Sequence, residues 1–115
     1  MIVIEHRNPI NLAQLREMAA NRFGDLVKAV VDVKRERMAV DAELHADEEA
    51  FLLNDGAEQV DLWGINLYPD LQGDDFLEFD SMINLRPSLG NRTRGVEDAV
   101  VRERIRAIVT MLVTR

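Results

Sequence analysis

Residues 86–98 read RPSLGNRTRGVED, placing three arginines and two glycines within ten residues just ahead of a helical pattern. Guanidinium groups make paired, charge-assisted contacts with phosphate and carboxylate, and free backbone N–H groups in glycine loops and at helix starts attract anions. Arg86, Arg92 and Arg94 are therefore candidates for holding a phosphate- or carboxylate-bearing ligand, with Gly90 and Asn91 letting the loop backbone approach it. Asn84 and Asp80, a few residues upstream, would orient its polar groups. The glycine spacing matches neither a P-loop nor a dinucleotide fingerprint. Glu97 and Asp98 also compete with an incoming anion for the helix start. The plain alternative is that these arginines pair with acidic residues of the chain or stay solvated.

A second group is Glu43, His45 and Asp47, followed by Glu48 and Glu49. Carboxylates with one imidazole suit Mg²⁺ or Mn²⁺, and this cluster is the candidate metal site; otherwise no cofactor is expected. Three consecutive acids on a helix point in three directions, however, and Asp47 as a helix cap needs no metal. A third group is a row of polar residues, Glu78, Asp80, Asn84 and Arg86, which Asn66 and either Asp41 or Glu43 could join. Such a row is either a structural ion-pair network or an acid/base pair beside an anion site. Ser81, Ser88 and Thr93 have the atoms of nucleophiles, but no nucleophile elbow or histidine base accompanies them. Trp63 and Tyr68 fall on opposite strand faces, a poor platform for stacking bases. Catalysis finds no complete constellation, so the sequence assigns no enzyme.

The bulk numbers narrow the setting. At 115 residues the chain suits one domain with one core, 1–115. No apolar run nears the ~18 residues of a membrane span. The start, MIVIEHRNP, lacks the apolar stretch of a signal peptide, and there is no cysteine for disulfides or thiolate chemistry, so a cytoplasmic location is expected. The net charge of −7 is unevenly spread: residues 41–80 carry thirteen Asp/Glu and no Lys or Arg, and residues 81–115 carry seven Arg and three Asp/Glu. The overall acidity argues against general nucleic-acid binding, which relies on neutralising many phosphates. An acidic middle and an arginine-rich end can neutralise each other in the fold, or meet partners or a second copy of the chain.

These residues must be positioned by a small set of elements. Asn11 with Gln14 forms a capping box, Ile10 and Leu15 a hydrophobic staple, and Gly24 closes the helix they begin. LVKAVVDVKRERMAVDAEL alternates twice around Arg35-Glu36. That centre pairs Val33 with Met38, Val31 with Val40 and Ala29 with Ala42, and sets Lys28 opposite Glu43. Asp47 caps a short helix that Gly56 ends, with a strand at AFLL as the competing reading. VDLWGINLYP and DFLEFDSMINLRP read as a second hairpin, with Leu77, Phe79, Ile83 and Leu85 facing inward. Asp98 caps a last helix whose stripe is Val101, Ile105, Ile108 and Leu112. The class is α+β: a mostly antiparallel sheet of about four strands, the N- and C-terminal helices on one face, and a short helix between the hairpins.

Four segments, ELHADEE, DLWGINLYP, FDSMINLRP and GNRTRGVED, resemble a small prokaryotic family of domains of unknown function, nearly along the whole chain. The resemblance implies no activity, substrate or cofactor. Three functions therefore stand side by side: a binder of a small anion at the arginine loop, a metal-dependent hydrolase at the His45 cluster, and a protein-interaction module.

Overall fold

A computed structural model describes residues 1–115. It has strands β1 (Ile2–Ile4), β2 (Ile10–Asn11), β3 (Val27–Asp32), β4 (Arg37–Val40), β5 (Leu62–Leu67), β6 (Leu77–Glu78) and β7 (Val113–Thr114). The helices are α1 (Leu12–Asn21), α2 (His45–Asn54) and α3 (Ala99–Leu112). Five strands form one antiparallel sheet in the order β1-β4-β3-β5-β6, and β2 and β7 make a short parallel pair that ties the start of α1 to the end of α3. The class is α+β. The fifth strand, β1, is an edge of three residues whose only ladder is with β4, and nothing local announces it.

Period-2 alternation sorts the sheet into two faces. Val27, Ala29 and Val31 of β3 and Ile65 and Leu67 of β5 face α1 and α3, where Leu15, Ala19, Ile105, Ile108 and Leu112 complete the main core. Val30, Ala39 and Leu62 face the other way and pack on Leu52 of α2. The N- and C-terminal helices thus share one face, as the apolar stripes require, and α2 covers part of the other. On that second face the row Lys28, Asn66 and Glu78 runs across three adjacent strands, because Lys28 pairs with Asn66 and Asn66 with Glu78.

The caps are where local chemistry puts them. Asn11 accepts from Gln14 N at 2.8 Å while Gln14 accepts from Asn11 N at 2.9 Å, and Asp98 accepts from Val100 N at 2.8 Å. Gly24 and Gly56 take left-handed conformations just past α1 and α2. Helix α2, however, begins at His45 with Leu44 as its cap, so Asp47 lies in the first turn rather than capping it. The first hairpin is shifted by two residues from the expected register: Val31 pairs with Met38 and Ala29 with Val40. On that side Asp41 rather than Glu43 meets Lys28, its N–H donating to Lys28 O, while Asn66 of β5 flanks Lys28 on the other side. Asp32 decides this. Its carboxylate accepts from Lys34 N and Arg35 N and meets Arg35 Nε at 2.8 Å, closing the turn one residue earlier than expected. A two-residue slip keeps every side chain on its face, so the apolar pattern could not distinguish the registers.

The larger correction is in the second hairpin. Its second strand ends after Leu77–Glu78, and the chain turns through a short 3-10 segment, Met82–Asn84. Ser81 Oγ accepts from Ile83 N, which bends the chain away from the ladder. The bend lies directly on Gly64 of β5: a Cβ there would sit 2.5 Å from Ser81 Cβ and 2.6 Å from Ser81 Oγ. Glycine is required here by close approach, not by its dihedral angles. Consequently Asn84 and Arg86 are buried, whereas Leu85, expected inside, is exposed. Gly64→Ala is expected to destabilise the protein by about 2 kcal/mol, as overpacking of a rigid contact does. A urea midpoint unchanged from wild type would contradict the packing described for Gly64.

Candidate functional site

The arginine segment folds as a small hairpin that supports β5. Arg86 N donates to Asn91 O and Asn91 N to Arg86 O, with Pro87–Leu89 forming a 3-10 turn and Gly90 left-handed at its end. The outer edge of β5 has a strand partner only at Asn66 and Leu67. At Gly64 the Asn84 carboxamide takes the place of a strand, accepting from Gly64 N at 2.9 Å and donating to Gly64 O at 3.0 Å. At Leu62 the Arg86 guanidinium does so. It donates to Leu62 O, to Gln59 O at 2.9 Å and to Ile83 O at 3.0 Å, and lies 4.7 Å from the centre of the Trp63 ring. Glu49, 4.0 Å away, offsets its charge. The carboxamide of Asn91 donates to Asn84 O, Thr93 O and Gly95 O and accepts from Glu97 N.

Three of the expected ligand residues, Asn84, Arg86 and Asn91, are therefore buried with their hydrogen-bonding groups engaged inside the fold. Gly90 serves the turn, and the Arg92 backbone N–H donates to the Glu97 carboxylate, so the loop holds an anion of its own. The Arg92 side chain is exposed. Arg94 and Asp80 are different: they form an exposed ion pair at 2.7 Å on the lip of a cleft. The metal cluster does not assemble. Glu43 and Asp47 are exposed, the His45 ring turns under the sheet, and nowhere do three His, Cys, Asp or Glu side chains converge on a position for an ion.

The cleft has a volume of about 360 Å³ and opens on the α2 face of the sheet, at the start of that helix. Its polar residues include Lys28, His45, Asn66, Asp80 and Arg94; Leu26, Leu44, Met82 and Ile83 give it apolar walls. Each polar group is set from behind. His45 Nε2 lies 2.7 Å from Ile65 O, and because a carbonyl only accepts, Nε2 carries the proton and Nδ1 keeps its lone pair. Burial lowers the His45 pKa below its ordinary 6.5, with Lys28 acting in the same direction and the Ile65 hydrogen bond, Asp80 and the neighbouring Asn66 side chain opposing, which favours the neutral ring. Asn66 Nδ2 donates to Glu78 Oε1 at 2.9 Å and to Asp80 O at 3.4 Å, which fixes which end of the amide is oxygen. That oxygen, Oδ1, is buried and has no partner. Tyr68 OH also donates to Glu78 Oε1 at 2.9 Å and so holds the outer end of the row. The backbone carbonyl of Arg94 accepts from Ser81 N and from Asn84 Nδ2, which holds the loop where its guanidinium reaches Asp80.

Lys28 is the unusual member. It is half-buried, its amino group stands 5.0 Å from the centre of the Phe23 ring, and no carboxylate comes within ion-pair distance of it. Two acids lie near. Asp41 is taken by Arg22 at 3.0 Å. Glu48 is fully buried beneath α2, where Oε2 accepts from Ala42 N, and burial pushes its pKa up to about 9 despite that bond and Lys28. At neutral pH Glu48 is protonated and leaves Lys28 uncompensated.

Sequence reasoning reached Arg94, Asp80 and Asn66 but gave Lys28 and His45 other partners. The Lys28–Asn66 pair belongs to the ladder between β3 and β5, strands thirty residues apart in sequence, and no local pattern announces it. A half-buried lysine without a carboxylate, in a chain with thirteen acids between residues 41 and 80, is visible only in three dimensions.

The fold and the cleft define a small α+β domain with a polar cleft at one end of its sheet. By sequence the chain belongs to a family described as protein of unknown function, DUF5674, whose model matches residues 2–112. No curated protein and no solved structure matches it. No helix is long and apolar enough to cross a membrane.

The raised pKa of Glu48 has a definite sign in stability. Between its ordinary 4.5 and about 9 the unfolded chain has released this proton and the native one has not, so raising the pH favours unfolding. Glu48→Gln keeps the acceptor for Ala42 N and removes the ionisation. Its stability relative to wild type is expected to grow from pH 5 to pH 9, by up to about 1.4 kcal/mol per pH unit. A difference that stays flat with pH in urea titrations would mean that Glu48 is ionised in the native protein.

Proposed function

We propose that this protein is a small cytoplasmic binding domain for an organic ligand bearing a carboxylate or phosphate, held in the cleft by Lys28 and Arg94. The observation that carries the reading is Lys28: a half-buried cation with no carboxylate partner, in a chain of net charge −7. Buried charges are ordinarily paired, and a ligand anion would supply the missing partner. Arg94 adds a second cation whose present partner, Asp80, is half-exposed, so the bond between them is weak and exchangeable. The apolar walls at Leu26, Leu44, Met82 and Ile83 would receive the ligand's hydrocarbon part.

This keeps the anionic ligand expected from the arginine loop and moves it. Arg94 and Asp80 remain part of the site; Arg86, Asn84 and Asn91 act behind it as its scaffold, and Arg92 and Gly90 lie outside it. Two probes test the reading, 4-methylpentanoate and butyl phosphate, titrated into ¹⁵N-labelled protein. Shift changes are expected at residues 26–28, 44–46, 66 and 80–83. Lys28→Ala is expected to weaken binding about tenfold or more, because it removes a charged hydrogen bond. Equal binding by wild type and Lys28→Ala, or shifts confined to the 90–93 turn, would contradict the reading.

A further inference from the structure

The deeper part of the cleft says more about the ligand than its charge. Asn66 is only 7 % exposed, and both hydrogens of its amide face acceptors, Glu78 Oε1 and Asp80 O. Its oxygen is left buried in the cleft wall with no donor. Beside it stands His45, whose proton is committed to Ile65 O through Nε2, so the ring nitrogen that remains, Nδ1, is also an acceptor. A buried acceptor without a donor is an unusual way to finish a cleft, since a buried polar atom left unpaired costs stability. It calls for a donor from outside.

Whether that donor is charged is decided by the neighbouring strand. Lys28 is the direct cross-strand partner of Asn66, so their side chains stand side by side on one face of the sheet. An ammonium group at Asn66 Oδ1 would stand next to the Lys28 ammonium; a hydroxyl meets no such repulsion, and an acid group one or two bonds away from it reaches Lys28. We infer that the cleft selects hydroxy acids with an apolar tail: the acid group on Lys28 and Arg94, the hydroxyl donating to Asn66 Oδ1 beside His45 Nδ1, and the tail against Leu26, Leu44, Met82 and Ile83. The inference rests on the anion-binding reading of the same cleft and adds to it the donor, its neutrality and its place.

Three acids of one carbon skeleton test it: 2-hydroxy-4-methylpentanoate as both enantiomers, 4-methylpentanoate, which lacks the hydroxyl, and leucine, which replaces it with an ammonium. Affinities are measured by ¹⁵N-shift titration of the wild-type protein, so the comparison does not depend on any variant folding. One enantiomer of the hydroxy acid is expected to bind about tenfold or more tightly than either other acid, the usual effect of leaving a buried polar group unpaired. Asn66→Ala, shown by its spectrum to be folded, is expected to bind the hydroxy acid and 4-methylpentanoate equally. Equal affinity of all three acids for wild type would overturn the hydroxyl inference and leave the anion site standing. Tightest binding of leucine would overturn the neutrality of the donor. Failure of all three to bind would remove the anion site, and this inference with it.

Discussion

The outer edge of β5 is the constraint on which the rest depends. A sheet edge exposes a row of N–H and C=O groups, and in this sheet the neighbouring strand β6 is only two residues long. The chain completes the edge with side chains instead. An asparagine serves Gly64 and an arginine serves Leu62, both delivered by the segment 81–95, and a glycine at 64 lets that segment lie against the strand. The polar density of RPSLGNRTRG is thereby explained without a ligand, since most of its donors meet backbone carbonyls of the protein. What the arrangement leaves for function is its rim, where the Arg94 backbone is held by Ser81 and Asn84 and its side chain points to the cleft.

The uneven charge of the sequence resolves in a related way. Acids of the middle segment pair with cations from both ends: Asp41 with Arg22, Asp55 with Arg37, Asp70 with Arg16, Glu49 with Arg86 and Asp80 with Arg94. Two of them, Asp70–Arg16 and Asp80–Arg94, are exposed on both sides and individually weak, and the five together engage five of the chain's fourteen cations. Of the two cations that line the cleft, Arg94 is paired and Lys28 is not. Its nearest acid on α2 is driven to the protonated form by burial, and its neighbour Asp41 belongs to Arg22. An unpaired cation in a mostly acidic protein gives the cleft a sign that the net charge would not suggest.

Local features were legible in the sequence in proportion to how local their causes are. The Asn11–Gln14 box, the Asp98 cap and the glycines at 24 and 56 each rest on contacts within a few residues, and all stand where the sequence puts them. The α+β class follows from apolar faces that hold under either hairpin register. The register itself turned on one carboxylate, Asp32, whose bonds to the turn compete with a pattern that tolerates a slip of two. β1 was missed because its three residues take their ladder from a strand more than thirty residues away. The polar row beyond Glu78 was misjudged for a physical reason: alternation predicts a wet face for polar residues, but Asn84 and Arg86 can be buried when they complete a strand edge. In the cleft, Arg94, Asp80 and Asn66 were within reach of sequence reasoning; the joining of Lys28 to Asn66 was not, because it needed the long-range pairing of β3 with β5.

Amide hydrogen exchange at Gly64 tests the central claim most directly. The Gly64 N–H points away from β3, and its only protein acceptor is the side chain of Asn84. If the 81–95 segment completes the sheet, this amide should be protected to within about tenfold of the amides that β5 donates to β3, because opening it requires the whole edge to open. Exchange at the rate of a solvent-exposed loop, while the β3–β5 ladder stays protected, would show that the segment is not docked, and the cleft built on it would not exist in the form described.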